Sequence, residues 1–91
     1  FTRSYVRGKF YIKKWGRNKI KVNLLQKGIS EKLIIKAYDE IDEKDYLVAI
    51  KTILEKITPT LKGLKEYQKK QKIIKYLLSK GYEYDLIVNE I

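Results

Sequence analysis

Apolar residues recur along this chain in steps of three and four, and no segment sustains the two-residue alternation of a strand. The clearest stripe is Tyr46, Leu47, Ile50, Ile53, Leu54 and Ile57. It predicts an amphipathic helix that opens on Asp42, a good N-cap, and stops at Thr58-Pro59-Thr60, where proline can donate no helical hydrogen bond. Before it, Ser30 caps a helix with Glu31 in its first turn, predicted to bury Leu33, Ile34, Ala37, Tyr38 and Ile41. A helix from about Arg17 turns Ile20 and Leu24 inward and ends at Gly28. The first helix is predicted over 1–15, ended by Gly16. Phe1, Tyr5, Gly8, Ile12 and Trp15 form its apolar stripe, and Arg3, Arg7, Phe10 and Lys14 form the opposite face. A fifth helix over 66–80 carries Ile73, Leu77 and Leu78, and a short sixth carries Leu86, Ile87 and Ile91. Residues 58–66, with Pro59 and Gly63, read as the linker.

One element of this pattern occurs twice, 53 positions apart. Ile20-x-x-x-Leu24-Leu25-x-Lys27-Gly28 followed by Leu33-Ile34 returns as Ile73-x-x-x-Leu77-Leu78-x-Lys80-Gly81 followed by Leu86-Ile87. The spacing is that of a helix end, a glycine in the left-handed conformation and the next helix start. The predicted fold is therefore all-α, with six helices in two tandem three-helix repeats, 1–41 and 42–91. These are helix-turn-helix-like units stacked in an elongated arrangement.

Charge changes this picture because it is unevenly spread. Of 21 basic residues, eleven fall in 1–36 beside the single acid Glu31, whereas 37–57 hold six acids and three lysines. A field concentrated at one end steers polyanions or an acidic protein surface there. Catalysis has little to work with: there is no histidine or cysteine, no nucleophile turn around Ser4, Ser30 or Ser79, and no glycine-rich phosphate loop. Asp39, Glu40, Asp42, Glu43 and Asp45 lack the glycine and terminal glutamate of a calcium loop and read as a helix start. No cofactor, metal or small-molecule substrate is expected. No run approaches a membrane span, and the absence of cysteine suits a reducing cytoplasm. A chain that starts on Phe1 and holds no methionine reads as a segment of a longer protein.

The candidate binding residues are the cations. Arg3, Arg7 and Lys14 share one predicted face of the first helix, flanked by Lys9 and Lys13 and continued by Arg17, Lys19 and Lys21. Arginine's planar fork suits phosphate or carboxylate, and neutralised phosphates give salt-dependent affinity without sequence preference. Phe10, within that face, reads as an aromatic to stack on a base or anchor a partner, or as packing against a further N-terminal unit. Lys69, Lys70 and Lys72 oppose the dipole at the start of the fifth helix, which a bound partner would offset. The helices after Gly28 and Gly81 begin Ser30-Glu31-Lys32 and Glu83-Tyr84-Asp85, without the residues that read base edges, so sequence-specific major-groove reading is not expected.

Three runs together resemble the RecX family of bacterial recombination regulators. They are Tyr5-Val6-Arg7-Gly8-Lys9 with Lys14-Trp15-Gly16-Arg17, then Leu24-x-x-Lys27-Gly28-Ile29-Ser30, and Gln71-Lys72-Ile73-Ile74-x-Tyr76-Leu77-Leu78-Ser79-Lys80-Gly81-Tyr82-x-Tyr84-Asp85-Leu86-Ile87. The acidic Ile41-Asp42-Glu43-x-x-Tyr46 that joins them fits as well. The resemblance implies tandem three-helix repeats, of which this chain looks like the last two of three. It also implies a bacterial, cytoplasmic and non-enzymatic regulator that lies along the RecA–DNA filament and restrains ATP hydrolysis and strand exchange. It would place the basic surfaces against RecA or against single- or double-stranded DNA. A plain nucleic-acid-binding module and a structural protein–protein adaptor remain the alternative readings.

Overall fold

The computed structural model describes residues 1–91 and contains helices and turns only. α1 (Thr2–Tyr11), α2 (Arg17–Gln26) and α3 (Glu31–Ala37) form a first three-helix unit, and a 3-10 turn, Tyr38–Glu40, leads out of it. α4 (Glu43–Ile57), a 3-10 turn at Thr58–Leu61, α5 (Glu66–Ser79) and α6 (Tyr84–Asn89) form the second. No helix is long and apolar enough to cross a membrane.

The caps sit where local chemistry puts them. Ser30 Oγ accepts the Leu33 N–H (3.4 Å) and Asp42 Oδ1 accepts the Asp45 N–H (3.1 Å), each satisfying an orphan donor of a first turn. The repeated glycines adopt φ +85° at Gly28 and +98° at Gly81. The following N–H groups, of Ile29 and Tyr82, each reach back 3.1 Å to the Leu24 and Leu77 carbonyls. Both copies thus close their helix with the same left-handed cap.

One core runs through both units. It holds Val6 and Phe10 of α1, Ile20 and Leu24 of α2, Ile34 and Ala37 of α3, and Ile41. From the second unit come Tyr46, Ala49 and Ile50 of α4, Ile73 and Leu77 of α5, Tyr82, and Ile87 of α6. Each large side chain fully removed from water there contributes about 1.5–3 kcal/mol. The rings of Phe10 and Tyr46 (centroids 5.5 Å apart) and of Tyr46 and Tyr82 (5.2 Å) form an aromatic ladder across the boundary between units.

Three details differ from the sequence expectation. α1 stops at Tyr11, so Ile12 and Trp15 leave its helical register, and of the predicted stripe only Tyr5 and Trp15 pack, half-buried, against the core. Phe1 and Ile12 are 77% and 78% exposed, while Val6 and Phe10, one helical step of four apart, face the core. Gly16 does not end α1 but serves as the N-cap of α2 in extended backbone; Lys14 takes the positive φ, 59°, that turns the chain. Leu33 points outward at 52% exposure, leaving Ile34 and Ala37 as the buried residues of α3. Residues 58–66, the linker read from the sequence, join α4 to α5 within the second unit. Thr58–Leu61 continues α4 as a 3-10 turn, with the Thr58 and Thr60 hydroxyls donating to the Leu54 and Ile57 carbonyls (2.6 Å each), and Gly63 (φ +87°) reverses the chain into α5.

The molecule measures 44 × 23 × 20 Å with a radius of gyration of 14.1 Å. A compact chain of this length would have about 12 Å. The two units therefore lie end to end, and what joins them decides how their surfaces are presented.

Candidate partner interface

The joint is built from backbone. The Gly16 N–H donates to the Lys80 carbonyl (2.7 Å) and the Asn18 N–H to the Gly81 carbonyl (2.9 Å). Unpaired donors at the start of α2 thus meet unpaired acceptors at the end of α5, and the positive end of one helix dipole abuts the negative end of the other. Such an approach requires glycine on both sides. A Cβ on Gly16 would fall inside the Gly81 carbonyl group, and one on Gly81 would stand 2.5 Å from the Lys19 Cβ and N.

Around this contact lies a polar network. The Tyr46 hydroxyl accepts the Arg17 N–H (3.0 Å) and donates to Glu83. The Arg17 guanidinium pairs with Glu83 (2.9 Å) and Glu43 (2.6 Å) and lies 4.0 Å from the Tyr46 ring centroid. The Tyr82 hydroxyl donates to the Lys14 carbonyl (2.7 Å) and that of Tyr38 to the Arg17 carbonyl (3.3 Å). Burial, reinforced by the hydrogen bond to Glu83, pushes the Tyr46 phenol well above the ordinary tyrosine range; burial and then the Glu83 charge do the same to Tyr82. Partial burial disfavours the Arg17 charge, but Glu83, Tyr46 and Glu43 outweigh it and hold the guanidinium above its usual pKa.

Against this geometry the sequence-predicted cations separate into three groups. Arg17 belongs to the joint, with its side chain only 17% exposed and both forks engaged. Arg3 and Arg7 project from α1 but converge on Glu40, at 3.3 and 2.9 Å, while Lys21 pairs with Glu31 (2.8 Å) and Lys69 with Glu66 (3.8 Å). Lys9, Lys13, Lys14, Lys19, Lys70 and Lys72 have no carboxylate partner. Phe10 is withdrawn from the interface: it is 1% exposed and packed on Tyr11 and Tyr46. It neither meets a partner nor waits for another unit, because α4 supplies the ring it rests on.

Two surfaces gather the unpaired cations. On the first unit, the ammonium groups of Lys9 and Lys19 lie 4.7 and 4.5 Å from the centroid of Trp15, the chain's one tryptophan. Lys9 and Lys27 also approach the Tyr5 ring, at 5.3 and 5.8 Å. Such exposed cation–π contacts contribute about 0.5–1 kcal/mol each, enough to bias a lysine and too little to fix it. On the second unit, Lys72, Lys75 and Tyr76 of α5 line an open groove of about 480 Å³ with Ile57 and Leu61. Tyr5 and Trp15 are half-buried and pack against the core, in keeping with the predicted stripe. Sequence reasoning missed their contacts with these lysines, which depend on how α1 and α2 meet.

The comparisons with known proteins agree along the chain. The family model for RecX, second three-helix domain, matches residues 1–37, and that for RecX, third three-helix domain, matches 43–89. The chain is 40% identical over 72 residues to the regulatory protein RecX of Clostridium perfringens (strain SM101 / Type A), covering 77% of this chain and 34% of that protein. To the regulatory protein RecX of Clostridium botulinum (strain Eklund 17B / Type B) it is 32% identical over 89 residues, covering 96% and 41%. To that of Clostridium tetani it is 40% identical over 83 residues, covering 82% and 38%. The chain thus spans roughly a third to two-fifths of these relatives' length. No solved structure matches it.

Proposed function

This chain belongs to the RecX family, and from that premise we propose that it forms the filament-binding part of a non-enzymatic regulator. In this reading it engages the RecA–DNA filament and restrains ATP hydrolysis and strand exchange. The observation that carries the reading is the surplus of cations left after ion pairing. Lys9, Lys13, Lys14 and Lys19 stand on α1, α2 and the turn between them without a carboxylate partner. A 44 Å body with cations on both units can bridge neighbouring subunits of a filament or the DNA inside it. Inhibition then follows from occupying a groove that must change shape or admit a second strand, and it requires no chemistry from the chain. The absence of histidine and cysteine, and relatives named as regulatory proteins, support a role without catalysis.

The test is DNA-dependent ATP hydrolysis by RecA with increasing amounts of the chain, at two salt concentrations. We expect inhibition that weakens with salt. Lys13→Glu with Lys14→Glu, both exposed and outside the ion pairs, should raise the half-inhibitory concentration about tenfold, since charges at an interface rim act mainly through association. Hydrolysis unchanged at saturating chain would overturn the reading. Salt-sensitive DNA binding with no effect on RecA would replace it with that of a plain nucleic-acid module.

A further inference from the structure

We infer that Trp15, with Lys9 and Lys19, forms a stacking site for an unpaired nucleic-acid base, the two ammonium groups taking the phosphates on either side. The inference deepens the filament reading by naming a nucleic-acid contact, and its test uses the chain without RecA, so the two fail separately.

The geometry of the indole is the starting point. Trp15 follows α1 rather than lying within it, half-buried, with its backbone N–H donating to the Lys9 carbonyl (3.0 Å). The next residue, Gly16, is locked to Lys80 at the joint (2.7 Å). The ring is therefore carried on a backbone pinned on both sides, which limits the entropy lost when a flat ligand stacks on it. Lys9 reaches it from α1 and Lys19 from α2. Neither lysine has a carboxylate partner, and the one acid of residues 1–36, Glu31, is already taken by Lys21. A site tuned to an acidic protein would need only the cations. One tuned to a duplex would have no use for an aromatic ring between the cations, because paired bases hide their faces. A cation–aromatic–cation arrangement whose lysines have no carboxylate partner matches a single strand, whose bases offer π-faces and whose phosphates repeat on each side. Tyr5, beside Lys9 and Lys27, extends the same pattern by one further ring. In the unbound chain the lysines rest on the rings by weak cation–π contacts, and phosphates draw them off while a base takes their place.

Trp15 is the chain's one tryptophan, so its fluorescence reports this site directly. Titrating the 91-residue chain with a short oligothymidylate should give saturable quenching that salt reverses. The slope of log K against log salt should be about −1.4, as for two phosphates neutralised on a single strand. Lys9→Gln with Lys19→Gln should weaken binding of an end-labelled oligothymidylate, followed by anisotropy, about tenfold. Trp15→Ala should do the same through lost stacking, which typically lowers affinity by about tenfold per base. Trp15→Phe, which keeps a flat ring in the partly buried position, should retain most of the affinity and the helical circular dichroism. It thereby separates lost stacking from lost folding. Anisotropy that rises while the tryptophan signal stays constant would place the strand elsewhere and overturn the inference. So would equal quenching by a duplex of the same length, or affinity unaltered in the double lysine variant.

Discussion

At the scale of single residues, the two repeated glycines look interchangeable in sequence and are not. Gly28 and Gly81 share a motif and a left-handed conformation, but a Cβ at Gly28 would meet nothing within 4 Å, whereas one at Gly81 would collide with Lys19. Gly28→Ala should therefore lower stability by about 1 kcal/mol, the penalty of the conformation alone. Gly81→Ala should lower it by about 3–5 kcal/mol, because overpacking against backbone is added to that penalty. Urea unfolding of the two variants checks the difference, and equal losses would refute the account of the joint. The caps at Ser30 and Asp42 were legible because an N-cap is a local event between residues three apart. Gly16 was legible as a glycine that matters but not for what. Its reason is a chain segment 65 positions away, and no local spacing encodes that.

Among the elements, α2 to α6 followed from apolar periodicity, whereas α1 was assigned the wrong face. Its ten residues are too few for the period to decide between two stripes, and the core's demand for Phe10 beside Tyr46 decided instead. Phe10 consequently leaves the outer face that periodicity gave it and enters the core, while Trp15 packs half-buried against that core with Lys9 and Lys19 beside its ring. The end of α1 offers a test of local strain. Lys14, with φ 59°, is the one non-glycine residue in the left-handed region, and its carbonyl is held by Tyr82. Lys14→Gly should raise stability by about 0.5–1 kcal/mol by relieving that conformation, less glycine's greater entropy in the unfolded chain. An unchanged or lower urea midpoint would show that the lysine's contacts outweigh the strain.

For the whole molecule, stability should depend on alkaline pH through the tyrosines of the joint. Tyr46, Tyr82 and Tyr38 hold their protons more tightly in the folded chain, chiefly because burial disfavours the phenolate. The unfolded chain releases these protons near about pH 10. Above that pH the folded state binds more protons, so stability is fully present below it and falls as pH rises. The urea midpoint should be flat between about pH 7 and 9 and drop steeply beyond about pH 10. Tyr46→Phe should lower stability at neutral pH by about 1.5–3 kcal/mol, the usual worth of a hydrogen bond to a charged group, and make the alkaline drop shallower. A midpoint insensitive to pH up to about 11 would contradict this linkage. The backbone-to-backbone contact of Gly16 with Lys80 and Gly81 has a further consequence, for how such a protein can diverge. No side chain takes part in that contact, so point substitution can break it but cannot tune it. The contact constrains the angle between the units, and the surface lysines take no part in it. A relative that holds its units at another angle would have to give up this contact and the two glycines that permit it.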